Sequence, residues 1–363
     1  MVRERTGPST PMEIPPLSQE LLVEFTSESL ILSASSRFDP KKVLRHLQGV
    51  DRVYMGIDMG GDKITARKVR IRQGEFLQED DDLVQKSQNG EGYLDFLHQV
   101  AEISNNERLP VGLSFAGPME EGKPQHAANM MAMFRELQTE YSGHLERVLP
   151  RLVSVKNDAT ACLISSSVAL CREGRDFENF LLIILGGGLG AAVLQDDKII
   201  GTEAGHLKVP DDLNPFQVRE ICETTKELQS KSHTCLELVA GGVAGLEKTA
   251  SKVYGKRVTG IELAKMAAQG DETAKRLYMN AAGIVGHVIL GLGNLFSLPL
   301  GERDHTAVVF HGGVQKAFGF PEWEADAIRK YLGRDLDNVF QTTSIVSSNA
   351  CLEGAAVAAC LAA

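Results

Sequence analysis

Two stretches of this chain, more than a hundred residues apart, share one layout. MGIDMGGDKITARKVRI (55–71) and LLIILGGGLGAAVLQDDKII (181–200) each run from an apolar strand into consecutive glycines and out along a second strand. So wide a separation is not that of a solenoid repeat. It predicts two related α/β domains, each opening with a glycine-turned hairpin.

The segments between them fit that prediction. DPKKVLRHLQGV and YLDFLHQVAEI are spaced as helices, and LPVGLSFAGP reads as a strand. MMAMFRELQTEY is helical, and RLVSVKND is a strand leading into the helix DATACLISSSVALC. Residues 243–290 are mostly helical, TAVVFHGGV is a strand ending in glycines, and SSNACLEGAAVAACLAA is a small-residue helix. Alternation of the two periodicities along the chain makes this an α/β protein.

Length and charge narrow the function. The 363 residues suit about two domains, and a net charge of -10 argues against nucleic acid as a partner. No apolar run approaches the ~20 residues that span a bilayer, so no membrane partner is expected. The opening MVRERTGPSTPMEIPP has no apolar h-region, so no secretory signal is expected there. Six scattered cysteines (162, 171, 222, 235, 351 and 360) without a C-x-x-C pair suit reduced thiols in the cytoplasm. Cys162, Cys171, Cys351 and Cys360 lie in Ala-rich helical stretches and read as packing residues.

Gly186, Gly188 and Ala191 match the letters of a dinucleotide fingerprint, G-x-G-x-x-A. That chemistry needs a helix after the glycines, whose N-terminus holds the pyrophosphate. Here the β-friendly AAVLQDDKII follows, and no G-K-[S/T] places a phosphate lysine. An NAD(P) oxidoreductase therefore requires a helix after Gly190. A glycine-rich hairpin instead lets backbone N–H groups approach an anion with no Cβ in the way. Two such hairpins facing across a cleft can grip a polyphosphate from both sides, whereas either alone reads as an ordinary tight turn.

The polar residues nearby have two readings each. Asp58, before Gly60-Gly61, suits Mg²⁺ beside a phosphate turn or simply forms the turn. Asn157-Asp158 stand where strand meets helix, the place of an N-cap. Glu203, His206 and Glu237 lie in GTEAGHLKV and HTCLELVAGG, as ligands or as ordinary loop residues.

Taken together, from residue 52 to residue 363, these motifs resemble the ROK family (repressors, open reading frames, kinases) of the sugar kinase, actin and heat-shock ATPase superfamily. GIDMGGDKI resembles the family's first phosphate turn and LGGGLGAAVL its second. VGLSFAGPMEEGKPQHAANM resembles the stretch ending in a sugar-binding Asn, here Asn129, and VKNDATA the segment bearing the catalytic Asp, here Asp158. EAGH (203–206), CLELVAGG and VVFHGGV (308–314) are similar to the E-x-G-H, C-L-E and adenosine-side segments.

The resemblance implies two actin-like ATPase (ribonuclease H-like) domains flanking a central cleft. Residues 51–157 plus 348–363 would form the smaller domain, 158–347 the larger, and 1–50 an N-terminal extension. It implies an ATP-dependent hexokinase, acting on the 6-hydroxyl of glucose or an N-acetylhexosamine, with Asp158 as general base. Asn129, Asn157, Glu203, His206 and Glu237 would bind the sugar. Asp58, Gly60, Gly61, Lys63, Gly186, Gly187, Gly188, Gly190, Gly312 and Gly313 would hold ATP and Mg²⁺. A cytoplasmic homodimer is expected.

The chain also departs from the family pattern. Many members hold zinc with one His and three Cys in C-x-C-G-x-x-G-C, whereas here the region reads VREICETTKELQSKSHTCLE. His206, Cys222, His233 and Cys235 have the right atoms but irregular spacing, so no metal is expected there. Asp62 stands where Thr usually follows the paired glycines, and Gly187 where Thr or Ser is common. Both changes leave room for a second reading, a catalytically weak sugar-binding or regulatory protein on the same fold.

Overall fold

The structure, a computed structural model, describes residues 36–363 apart from 88–89, 121–122, 125–129, 230–231, 301–304, 318, 334, 337 and 347–348. β1 (Ser36–Arg37) leads to the helix Pro40–Gln48, whose N-cap Asp39 accepts from the Lys41 and Lys42 N–H groups. β2 (Asp51–Met59) and β3 (Lys63–Arg72) form the first hairpin, with Asp51 opposite Arg72 and Met59 opposite Ile64. β4 (Glu75–Gln78) and β5 (Leu83–Lys86) both pair with β3. β6 (Val111–Phe115) lies parallel to β2; β7 (Met119–Glu120) and β8 (Lys123–Pro124) pair with each other; β9 (Leu152–Asn157) lies parallel to β6.

A second sheet repeats the plan. β10 (Asn179–Leu185), β11 (Leu189–Gln195) and β12 (Lys198–Thr202) form an antiparallel meander. β13 (Thr306–His311) lies parallel to β10, and β14 (Val339–Gln341) parallel to β13. The orders are β4-β3-β2-β6-β9 and β12-β11-β10-β13-β14, with β5 and β1 as additions. In both sheets the third strand of the unit comes first, then the second, first, fourth and fifth. This is the structural basis of the sequence echo. Strand β11 follows directly after Gly188, so the condition for a dinucleotide site fails.

Alternation explains the core. All seven residues of β10 are buried because both of its faces are covered. Leu181, Ile183 and Leu185 pack in one cluster with the Glu272–Leu295 helix, through Leu277, Ile284 and Val288. Phe180, Leu182 and Ile184 face another cluster, built with the helices Asp158–Arg172 and Ala350–Ala362 and reaching Tyr54, Val69 and Ile71 of the first sheet. A third cluster fills the far side of the first sheet, from Met55 and Ile57 to Leu97 and Val100.

The small residues of Ala350–Ala362 allow this helix to lie between the layers. A Cβ on Gly354 would stand 1.7 Å from the Ala161 carbonyl oxygen, so the two helices cross almost backbone to backbone. Asp58 and Asp158 are thereby brought to one place. Residues 36–48 join the body through β1 on β12 and the Pro40–Gln48 helix on Asp158–Arg172.

Candidate active site

Asn157 ends β9 and caps the next helix, as the N-cap reading expected. Its Oδ1 accepts from Ala159 N at 3.0 Å and Thr160 N at 3.3 Å, while Nδ2 donates to Gly117 O at 3.1 Å and Glu203 Oε1 at 3.2 Å. One amide thus both caps the helix and holds Glu203. Asp158, the first residue of that helix, accepts from Ala159 N at 2.7 Å. Burial, with Glu203 and Asp58 nearby, pushes its carboxyl up to about 8. A carboxylate so tuned is a proton acceptor poised near neutral pH.

Glu203 is 8% exposed, and its Oε2 lies 3.7 Å from His206 Nε2. Burial and Glu237 raise Glu203, opposed by His206. Burial disfavours charge on His206 too, but Glu237, the Cys222 hydrogen bond and Glu203 outweigh it and lift its pKa to about 9. Glu237 Oε2 accepts from Leu189 N at 3.2 Å, tying this acidic group to the second glycine turn. Thus Asn157, Asp158, Glu203, His206 and Glu237, scattered in sequence, form one linked set. Asn129 lies outside the described residues.

The phosphate-turn candidates lie beside this set. Asp58 Oδ1 accepts from Ser114 Oγ at 3.0 Å and Oδ2 from Asn349 Nδ2 at 3.4 Å; burial raises the carboxyl against those bonds and the charges of His311 and Lys63. Gly60 N donates to Lys63 O at 3.0 Å, and Tyr93 Oη to Gly60 O at 2.7 Å, closing the first turn. In the second turn Gly186 O accepts from Gly242 N, and Gly187 O from Val243 N and Ala244 N. The N–H groups of Gly61, Gly187 and Gly188 have no partner among the described residues, as an anion cradle requires.

Space at these turns is tightly assigned. A Cβ on Gly188 would fall 2.1 Å from Glu237 Oε2. Gly312, at φ +118, abuts the second turn, where a Cβ would meet Leu185 O at 2.2 Å, while Gly313 faces open space. Gly190 is already within β11, paired with Ile184.

Of the four zinc candidates the fold gathers three. Ligand atoms of His206, Cys222 and Cys235 lie within 4.8 Å of one another, with His206 Nδ1 3.4 Å from Cys222 Sγ and 4.0 Å from Cys235 Sγ. His233 Nε2 instead donates to His206 O at 3.0 Å. The hydrogen bond from Cys235 holds the Cys222 thiol well down, and the same contact with burial raises Cys235 in turn.

The ROK family profile matches residues 54–361. The chain belongs to the ROK family. Among solved structures, the ROK hexokinase from Thermus thermophilus is 26% identical, with a TM-score of 0.56 over 85% of this chain and 98% of that one. A ROK family glucokinase from Streptomyces griseus, in complex with glucose and AMPPNP, is 22% identical, with a TM-score of 0.58 over 84% and 98%. A ROK family transcriptional regulator, a homolog of the E. coli MLC protein, is 17% identical, with a TM-score of 0.53 over 85% and 78%. None of the curated proteins matches the chain.

Three residues that the sequence reading passed over, Ser114, Asn349 and Tyr93, also line this ROK protein's candidate site. Ser114 was marked only by being polar inside the buried strand β6, and Asn349 by standing before a helix. Tyr93 gave no signal beyond its place on an amphipathic helix.

Proposed function

We propose that this ROK protein is an ATP-dependent sugar kinase that phosphorylates a hexose. One observation carries the reading: Asp158, raised to about 8, sits between the Asn157–Glu203–His206 set and Asp58 of the first glycine turn. In this reading the ATP phosphates lie on the free N–H groups of both turns, and the open side of Gly313 admits the nucleoside. Asn129, Asn157, Glu203, His206 and Glu237 hydrogen-bond the sugar hydroxyls, whose mismatched analogues leave buried polar groups unpaired.

Asp158 takes the proton of the attacking hydroxyl as its oxygen bonds to the γ-phosphorus, and the bond to the bridging oxygen breaks to release ADP. Each Asp58 oxygen receives one hydrogen bond, leaving lone pairs that fit a hydrated Mg²⁺. Bound there, Mg²⁺ supplies neutralisation of phosphate charge. The His206, Cys222 and Cys235 donors fit zinc with one position open, and such an ion would supply a rigid tie for the loop that carries His206.

The acceptor we favour is the 6-hydroxyl of glucose or an N-acetylhexosamine, by family resemblance and by the activities named for the Thermus and Streptomyces proteins. The reading includes a cytoplasmic homodimer, supported by the family resemblance and by the reduced thiols. No helix among the described residues is long and apolar enough to cross a membrane. ADP release measured across a hexose panel tests the proposal, and turnover with glucose or an N-acetylhexosamine is expected. Sugar binding without turnover at millimolar sugar would favour the regulatory reading, which Asp62 in the phosphate turn supports.

A further inference from the structure

A second group of metal-ligating side chains lies on the floor of the cleft. Cys162 comes from the helix Asp158–Arg172, His311 from the end of β13, and Cys351 from the C-terminal helix. One ligand atom of each lies within 4.8 Å of the other two. Both cysteines are free thiols, 0% and 4% exposed, which agrees with the packing role read from the sequence but leaves their convergence on a histidine unexplained.

The histidine is oriented for ligation. His311 Nδ1 stands 2.7 Å from Thr342 Oγ1, while Nε2 is 4.0 Å from Cys351 Sγ. A hydrogen bond to one ring nitrogen that presents the other is the usual support of a metal-bound imidazole. Zn–S bonds of about 2.3 Å and Zn–N bonds of about 2.0–2.1 Å place tetrahedral donors about 3.5–3.8 Å apart. A closure of well under an ångström brings the His311–Cys351 pair into that range.

The surroundings favour a cation. Asp58 and Asp158 act electrostatically on both His311 and Cys351. Ser166, one turn after Cys162 on the same helix, has a fully buried hydroxyl that turns to the Cys162 sulfur. A thiolate on Cys162 gives that hydroxyl an acceptor.

We propose that Cys162, His311 and Cys351 bind a single soft divalent cation, Zn²⁺, with a fourth position left to water. Binding displaces the protons held by the two thiols and the imidazole, leaving two thiolates and a neutral imidazole on the ion. An ion so held fixes the helix that carries Asp158 to the helix whose cap, Asn349, holds Asp58. The proposal does not depend on the kinase reading.

Cobalt tests it, because thiolate ligands give Co²⁺ a near-ultraviolet charge-transfer band. Full-length Cys222→Ser/Cys235→Ser protein, stripped with chelator and kept reduced, silences the other cluster. It is expected to bind one equivalent of Co²⁺ with that band, to lose the band on adding Zn²⁺, and to lack it once Cys162→Ser/Cys351→Ser is added. No band in a parent variant that is folded by near-ultraviolet circular dichroism overturns the proposal. Should the parent not fold, Cys351→Ser alone is compared with wild type. A drop of one equivalent is expected, and unchanged stoichiometry overturns the proposal.

Discussion

Asp62 Oδ2 lies 3.6 Å from the point where a Cβ on Gly187 would stand. The two glycine turns therefore face each other, and the two departures from the family's phosphate motifs are neighbours in space. A carboxylate has entered one turn where the other has given up its side chain. Its charge lies next to the N–H groups that we assign to phosphate, so it opposes ATP. Asp62 is exposed, so solvent screens the effect. Asp62→Asn is expected to lower the KM for ATP about two- to fivefold at low salt, and less at high salt. Steady-state kinetics at saturating sugar measure this, and an unchanged KM at low salt would remove Asp62 from the phosphate site.

Asp158 ties activity to pH with a definite sign. The base must be unprotonated, and in the free protein its pKa is about 8. The acid limb of kcat/KM should therefore have its midpoint near that value and fall about tenfold per pH unit below it. Asp158→Asn should lower kcat by about 10²–10⁴-fold while sugar affinity changes little. A profile flat from pH 6 to 9, or substantial activity in the variant, removes Asp158 from its role.

The same shift runs the other way in stability. A carboxyl ionises near pH 4 when unfolded, about four units below its folded value here. Between those values the folded state holds the extra proton, so the wild-type protein loses stability as pH rises through that interval. Asp158→Asn carries no such charge. Its melting temperature should gain on the wild type as pH goes from 5 to 8, and a constant difference in thermal melts would contradict the assigned shift.

The hairpin echo made the architecture legible, because a strand that turns on glycines and returns has few alternatives. Each strand and helix read from the sequence is present, from Pro40–Gln48 to Ala350–Ala362. Convergence was less legible. Asn157 offered two readings, and nothing local says that the amide that caps the helix also reaches Glu203, 46 residues along the chain. The irregular spacing of His206, Cys222 and Cys235 argued against a metal, yet Cys222 and Cys235 meet at His206 because Cys222 N bonds His233 O and Lys208 bridges Cys235. Spacing along a chain says little where a loop folds back on itself. Cys162 and Cys351 were read as separate packing residues, and His311 was given no role of its own, for the same reason.

Gly188 and Glu237 are coupled by shape. A Cβ at Gly188 falls on the carboxylate that holds Leu189 N, so Gly188→Ala must displace Glu237. The expected result is a raised KM for sugar and a lower melting temperature. Glu237→Ala clears the space, so the double variant should be no worse than Glu237→Ala alone. Additive losses in the double-mutant cycle would show that the two residues act independently.

Gly354 has no such escape, because the obstacle is backbone. The Ala161 carbonyl oxygen would lie 1.7 Å from an added Cβ, and both helices are buried along their length. Gly354→Ala must push the C-terminal helix away from Asp158–Arg172 and open the contact that joins the sheets. Overpacking of a filled core costs about 1–3 kcal/mol and occasionally more. The displacement also separates Asn349 from Asp58, so the variant should lose activity beyond what its unfolded fraction explains. Urea denaturation with activity measured on the folded fraction tests both parts. Wild-type stability in Gly354→Ala would mean that the helices do not cross as closely as the backbone shows.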